Sequence, residues 1–175
     1  MKKIAIVGSG GAGKSTLARR LGYVLGLPVV HLDNHFWQRG WVETERSRWI
    51  EIQQGFVSQE EWIIDGNYGG TMDVRFAQAD TIIYLNLSRY RCIWRAIKRR
   101  IMYHGKARPD MNNGCTERLD FQFLKWLWRY PRDTHPITWS HIEKVADRAQ
   151  VIQLKTPGQV RLFLKDMTRV EQTDI

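Results

Sequence analysis

The chain has 175 residues, 43% of them hydrophobic and 26% charged, which is the size of about one domain and an ordinary globular balance. That composition excludes extended disorder, a collagen-like repeat and a disulfide scaffold. Its 27 Lys and Arg against 18 Asp and Glu leave +9, a charge that points to an anionic partner and says nothing about fold. The excess is local: residues 89–134 hold 12 basic and 4 acidic side chains, whereas residues 1–88 hold 9 of each.

The elements can be taken in chain order. Lys3 to Val7 is a short apolar run ending at Gly8 and reads as a buried strand. Lys14 to Leu25 carries Leu17, Leu21, Val24 and Leu25 at helical spacing, with Gly26 as a stop. A second strand is predicted over 29–32 and a helix over 43–58. Strands follow at 62–64 and 81–87, and then a basic amphipathic helix over 89–102. Residues 103–116 contain Gly, Pro and Asn and read as a loop. An aromatic helix over 117–130, a short helix near 138–148, a strand over 151–154 and a last helix after Pro157-Gly158 complete the chain. Short apolar strands alternating with helices imply right-handed βαβ units and a parallel sheet covered on both faces. Functional side chains then belong at the carboxyl ends of the strands.

Gly8-Ser9-Gly10-Gly11-Ala12-Gly13-Lys14-Ser15 matches G-x-x-x-x-G-K-[ST] without a departure, between a predicted strand and a predicted helix. Glycines at 8, 10, 11 and 13 allow positive φ, so that successive N–H groups can face an anion. The helix start adds unpaired N–H groups and a positive dipole end, with Thr16 in its first turn. Lys14 can reach the β- and γ-phosphates of ATP, and the Ser15 hydroxyl can ligate Mg²⁺.

The apolar strand over 62–64 continues into Asp65-Gly66-Asn67-Tyr68 with no Glu after the Asp, unlike motor-type ATPases. The Asn-Lys-x-Asp motif of GTPases and the ABC signature are absent. Together with the P-loop, His31-Leu32-Asp33, Trp37, Trp41, Trp62-Ile63-Ile64-Asp65-Gly66-Asn67-Tyr68, Arg108-Pro109-Asp110 and Gly114-Cys115-x-Glu117-Arg118 resemble the small-molecule kinase branch of P-loop proteins. That branch contains adenylate, shikimate and gluconate kinases. Within it the chain looks most like the bacterial adenylate-kinase-like proteins labelled "DNA topology modulation protein". The resemblance covers most of the chain. It implies a three-layer α/β P-loop fold with a parallel five-stranded sheet, forming one kinase-like domain over 1–175. It also implies an acceptor-binding insertion near 34–60 and an Arg-bearing lid near 100–117.

Several residue roles follow from the resemblance. Asp33, just past the second strand, would lie near the acceptor and take a proton from the attacking oxygen or help hold Mg²⁺. The same residue type also serves as an N-cap or turn residue. Asp65 would bind Mg²⁺ with Ser15, although an Asp-Gly pair is also a turn signal. Adenylate kinases place an aromatic residue, a Pro and an Arg after this Asp-Gly. Here Asn-Tyr-Gly-Gly stands instead and the next arginine is Arg75. Eight tryptophans are present; Trp37, Trp41 and Trp49 fall in the insertion, where they can wall a pocket or simply pack it.

Two readings compete for the basic stretch. In the first it is a short lid, whose Arg95, Arg99, Arg108 and Arg118 meet the triphosphate, with Arg99 and Arg108 assisting transfer. In the second, its arginines and aromatic residues bind nucleic acid, although no helix-turn-helix, zinc-finger or RNA-recognition motif accompanies them. The favoured reading is an ATP- and Mg²⁺-dependent phosphotransferase acting on a small-molecule acceptor; the alternative is an ATP-binding regulator of DNA topology. The first apolar run, four residues long, is short of the roughly 7–15 residues of a signal peptide. No run approaches the ~18 of a membrane span. Cys92 and Cys115 lack metal-site spacing. A cytoplasmic protein with reduced thiols and no membrane partner is therefore expected. Neither the acceptor nor an oligomeric state is legible.

Overall fold

The computed structural model describes residues 1–105, 114–115 and 119–173. Its centre is a sheet of five strands in the order β2-β5-β1-β6-β7, formed by β1 (Lys3–Gly8), β2 (Val29–His31), β5 (Trp62–Asp65), β6 (Thr81–Leu85) and β7 (Gln150–Leu154). Every pairing in it is parallel. The expected α/β P-loop fold with a five-stranded parallel sheet is thus observed. β1 lies between β5 and β6, with Ile6 opposite both Asp65 and Ile83.

Alternation of side chains along each strand separates two cores. Ile4, Ile6, Ile63, Ile83 and Leu85 face α1 (Lys14–Leu25) and α8 (Pro157–Thr173), meeting Leu17, Leu21, Phe163 and Leu164. Ala5, Val7, Ile64, Ile82 and Tyr84 face the opposite layer. That layer contains α3 (Arg46–Val57), α4 (Met72–Phe76) and α7 (His135–Glu143), which contribute Trp49, Phe76 and Ile142. The three central strands are apolar nearly throughout because both their faces are covered.

The remaining elements depart from the sequence expectations in ways that have local causes. Leu32 does not extend β2; it starts a short helix α2 (Leu32–Phe36). Residues 43–45 lie outside α3: Val42–Glu43 is strand β4, paired antiparallel with β3 (Trp37–Gln38) across a turn at Gly40 and Trp41, both with positive φ. Thr44 clasps this hairpin, its hydroxyl donating to the Phe36 carbonyl at 2.7 Å. Two-residue strands have too little periodicity to register in a sequence. Glu45 caps α3, accepting from the Ser47 and Arg48 amides. A 3₁₀ turn, Gly69–Thr71, precedes α4; both were unassigned by pattern.

α5 (Arg89–Met102) has the expected span. Its buried positions are Cys92 and Ala96, however, while Ile101 is 72% exposed. Small residues are used because the helix lies directly against the P-loop backbone. A Cβ on Gly11 would come within 2.3 Å of the Cys92 carbonyl oxygen. The next helix, α6 (Phe121–Asp133), starts later than expected because Asp120 caps it, accepting from the Phe123 amide at 2.7 Å. It also continues past Tyr130 through Pro131, which lacks the N–H that would bond back to the Leu127 carbonyl. α7 likewise begins early, with a Pro in its first turn, where the missing N–H costs nothing.

Ile64 belongs to one of the two cores and is fully buried. Ile64→Ala is expected to lower the unfolding free energy by about 3 kcal/mol, measurable by urea denaturation. A loss below about 1 kcal/mol would contradict close packing at this position.

Candidate functional site

β1 ends in the P-loop, and the backbone there has the shape the glycines anticipate. Gly8, Gly11 and Gly13 have φ of +146°, +72° and +100°, values an L side chain seldom adopts. Two of them are also packed against neighbours: a Cβ on Gly8 would lie 2.5 Å from the Leu85 carbonyl oxygen, much as Gly11 meets Cys92. Gly13 caps α1, so the helix N-terminus opens into the loop. The Gly8 amide donates to Asn67 Oδ1 at 2.9 Å, which ties the P-loop to the segment after β5. The Lys14 ammonium donates to the carbonyls of Gly8 and Ser9 at 3.0 and 3.2 Å. Burial pulls its pKa below the ordinary lysine value, against the opposing pull of Asp33 and Asp65.

A cleft of about 1110 Å³ runs across the carboxyl edge of the sheet. Gly10 to Thr16 line it, with Asp33, Asp65, Arg95 and Arg99. Gly8 and Ser9 do not: both are buried at the root of the loop. Arg95 and Arg99 stand one turn apart on the cleft side of α5, and Arg95 donates to the Ala12 carbonyl at 3.0 Å. Arg91 and Lys98, which helical spacing puts on the same face, are exposed. Arg108 and Arg118 lie outside the described residues, with most of the expected lid.

The two carboxylates are held by different partners. Asp65 Oδ1 lies 2.5 Å from His31 Nδ1, an edge-strand residue in register with it. Asp33 Oδ1 accepts from the Tyr68 hydroxyl at 2.6 Å. Burial, and then the charge of Asp33, push the Tyr68 phenol well above the usual tyrosine range, so it remains a donor. Tyr68 itself has φ +38° and packs with Phe36 and Trp49. Trp49 is a packing residue, 4% exposed. Trp37 and Trp41 line the cleft, edge to face with ring centres 5.3 Å apart.

Beneath this floor lies Arg75, which is fully buried. Its Nη1 donates to Gln53 Oε1 and its Nη2 to the carbonyls of Gly66 and Asn67, at 3.3 and 2.6 Å. Burial lowers its pKa to about 10, still charged at neutral pH. Sequence reasoning noted Arg75 only as the next arginine after the Asp-Gly and gave no role to Gln53 or to the ring of His31. It gave no role to Phe123 and counted Trp126 only among the aromatic residues of the nucleic-acid reading. These α6 side chains press on the P-loop so closely that a Cβ on Gly10 would sit 2.8 and 3.1 Å from them. An aromatic run with a helix cap was the available signal; its target was not readable.

The donor set suits a hard cation. Ser15, Asp33 and Asp65 offer only oxygen, next to a loop shaped for phosphate. Among the described residues no cluster of three or more His, Cys, Asp or Glu is positioned as a metal cage. Mg²⁺ at nucleotide sites generally takes one or two carboxylates together with substrate phosphates, so the residues present fit it. No helix among the described residues is long and apolar enough to cross a membrane.

The Asn67 side chain accepts from the Gly8 amide and so joins the acceptor side of the cleft to the root of the P-loop. Asn67→Ala is expected to cost about 1–3 kcal/mol of stability and to weaken binding of an ATP analogue, read by calorimetry. Unchanged affinity and melting temperature would show that this bond does not hold the loop.

No protein-family model and no curated protein sequence matches the chain. Solved structures do match its fold. A shikimate kinase from Acinetobacter baumannii in complex with shikimate has a TM-score of 0.62 and 16% identity, covering 99% of this chain and 94% of that one. A gluconokinase from Sinorhizobium meliloti 1021 has a TM-score of 0.53 and 17% identity, covering 98% and 94%. A shikimate kinase from Bacteroides thetaiotaomicron has a TM-score of 0.51 and 15% identity, covering 97% of each chain. None of these three is a DNA topology modulation protein. At such identities the likeness is one of architecture: the chain has the fold of the P-loop kinases.

Proposed function

We propose that the protein is a phosphotransferase that moves the γ-phosphate of ATP to a small-molecule acceptor. It would act as one unit, with an acceptor insertion over about 34–60 and a lid over about 100–117. The observation that carries this reading is the convergence of Lys14, Ser15, Asp33, Asp65, Arg95 and Arg99 on one cleft. Fold neighbours named as shikimate kinases and a gluconokinase support it. The cleft's size also supports it, exceeding the roughly 300–1,000 Å³ typical of a single small-ligand pocket and leaving room for nucleotide and acceptor together.

In this proposal the P-loop amides and the start of α1 bind the phosphates, and Lys14 turns its ammonium from the loop carbonyls to the transferring group. Arg95 and Arg99 approach from α5 and balance charge spread over the phosphoryl oxygens. Asp33 receives the proton of the acceptor hydroxyl as that oxygen bonds to the γ-phosphorus and the bond to the β-phosphate oxygen breaks, releasing ADP. Tyr68 orients Asp33 for this, and His31 orients Asp65. Mg²⁺, when held by Ser15 and Asp65, supplies positive charge to the phosphates. Arg108 and Arg118 would add lid contacts.

The test is Lys14→Ala, which should abolish acceptor-dependent ADP release while leaving the melting temperature near that of the parent. Normal turnover in this variant would sink the mechanism.

A second reading, a nucleic-acid-binding regulator, is favoured by one specific observation. The outer side of α5 and α6 exposes Tyr90, Trp94, Phe121 and Trp128, with the Arg89 guanidinium 4.1 Å from the centre of the Trp128 ring. Such a surface can stack bases and neutralise phosphates. Titrating single-stranded and duplex DNA at several salt concentrations decides it. Tight binding near physiological salt, with a slope reporting several neutralised phosphates, would favour the regulator; binding that vanishes there would favour the kinase.

A further inference from the structure

Resting on the phosphotransferase reading, we infer that the acceptor wall built by residues 31–68 selects a ring-bearing alcohol and offers no cation of its own to an anionic acceptor. The cleft divides by chemistry. All of its described Lys and Arg residues come from α1, α5 and α8, the elements around the P-loop. The wall opposite is contributed by residues 31–68, and its charged lining groups are Asp33, Glu43 and Asp65. No Lys or Arg from that stretch lines the cleft. Carboxylate and phosphate ligands are ordinarily recognised by paired guanidinium donors, and an anion placed here would instead meet three carboxylates.

Arg75 sharpens the point. It is the first arginine after β5 and the natural candidate to reach an anionic acceptor, yet its guanidinium lies on the far side of the floor. Both Nη atoms are committed there to Gln53, Gly66 and Asn67, with no exposed surface. It therefore holds the acceptor loop in shape from below and leaves the cleft side acidic. Over that acidic floor stand Trp37 and Trp41, whose faces suit the flat or CH-rich surface of a ring. Asp33 is placed among them to take a hydroxyl proton. Lys106, Arg108 and Arg118 lie outside the described residues, so the inference concerns the wall built by residues 31–68.

Matched ligand pairs test it. The intact protein, saturated with a non-hydrolysable ATP analogue and Mg²⁺, is titrated with uridine and UMP, adenosine and AMP, and glucose and gluconate. Tryptophan fluorescence is the readout. The uncharged member of at least one pair should bind about tenfold or more tightly than its anionic partner. Trp37→Ala and Trp41→Ala should weaken that binding without moving the affinity for the ATP analogue. Equal or tighter binding of every anionic member overturns the inference, and so does failure of every uncharged member to bind. Phosphoryl transfer measured on the same pairs separates the two proposals. Transfer only to anionic members overturns the acceptor class and leaves the kinase standing. Binding of an uncharged member with no transfer upholds the binding-site chemistry and overturns the kinase.

Discussion

The carboxyl edge of this protein depends on one steric constraint: β1 must end in a residue without a side chain. Gly8 is flanked by β6 so tightly that a Cβ would enter the Leu85 carbonyl, and its φ of +146° turns the chain out of the sheet at once. From this turn the P-loop passes under α5, where a Cβ on Gly11 would collide with the Cys92 carbonyl oxygen. The loop is thus clamped between a sheet edge, a helix backbone and the aromatic side chains of α6. A loop held this way keeps its amides aimed without needing to be ordered by a ligand, which is the form of preorganisation that lets backbone dipoles act on charge.

The opposite side of the cleft is organised from below. Arg75 is a buried charge, a costly placement offset in part by the bonds of its Nη atoms to a side-chain amide and two carbonyls, while its Nε has no partner among the described residues. Those carbonyls belong to Gly66 and Asn67, and Asn67 in turn receives the Gly8 amide. A continuous chain of contacts therefore connects Gln53 on α3 to the first turn of the P-loop. Removing any member leaves a buried polar group unpaired, which costs more than the bond itself contributes. Tyr68, in the left-handed region and wedged between Phe36 and Trp49, extends this support to Asp33.

Much of this was legible in the sequence and some was not, for reasons that differ by residue. The three central strands read clearly because each is a nearly continuous apolar run, a pattern that burial on two faces imposes. Gly40, Trp41 and Thr44 form a hairpin from strands of two residues, too short to carry a period. Ile101 fits an apolar helical stripe and is nevertheless exposed, while Cys92 and Ala96 are buried in its place. The helix approaches a backbone there, and closeness favours small residues over large ones. Arg91, Arg95, Lys98 and Arg99 share a helical face by spacing, but only Arg95, which donates to the Ala12 carbonyl, and Arg99 line the cleft.

The sequence by itself determined the nucleotide loop, the parallel α/β order and the side of the sheet where chemistry belongs. These follow from local rules: glycine's freedom at positive φ, the two-residue and 3.6-residue periods, and the handedness of crossovers. It also located the excess charge in residues 89–134. Only the tertiary structure decided where each charge acts. Folding sends Arg95 and Arg99 inward to the cleft and Arg89 outward to an aromatic surface, and it buries Arg75 beneath the acceptor wall. A side chain's direction depends on which distant segments pack against its element, and no neighbouring residue in the chain encodes that.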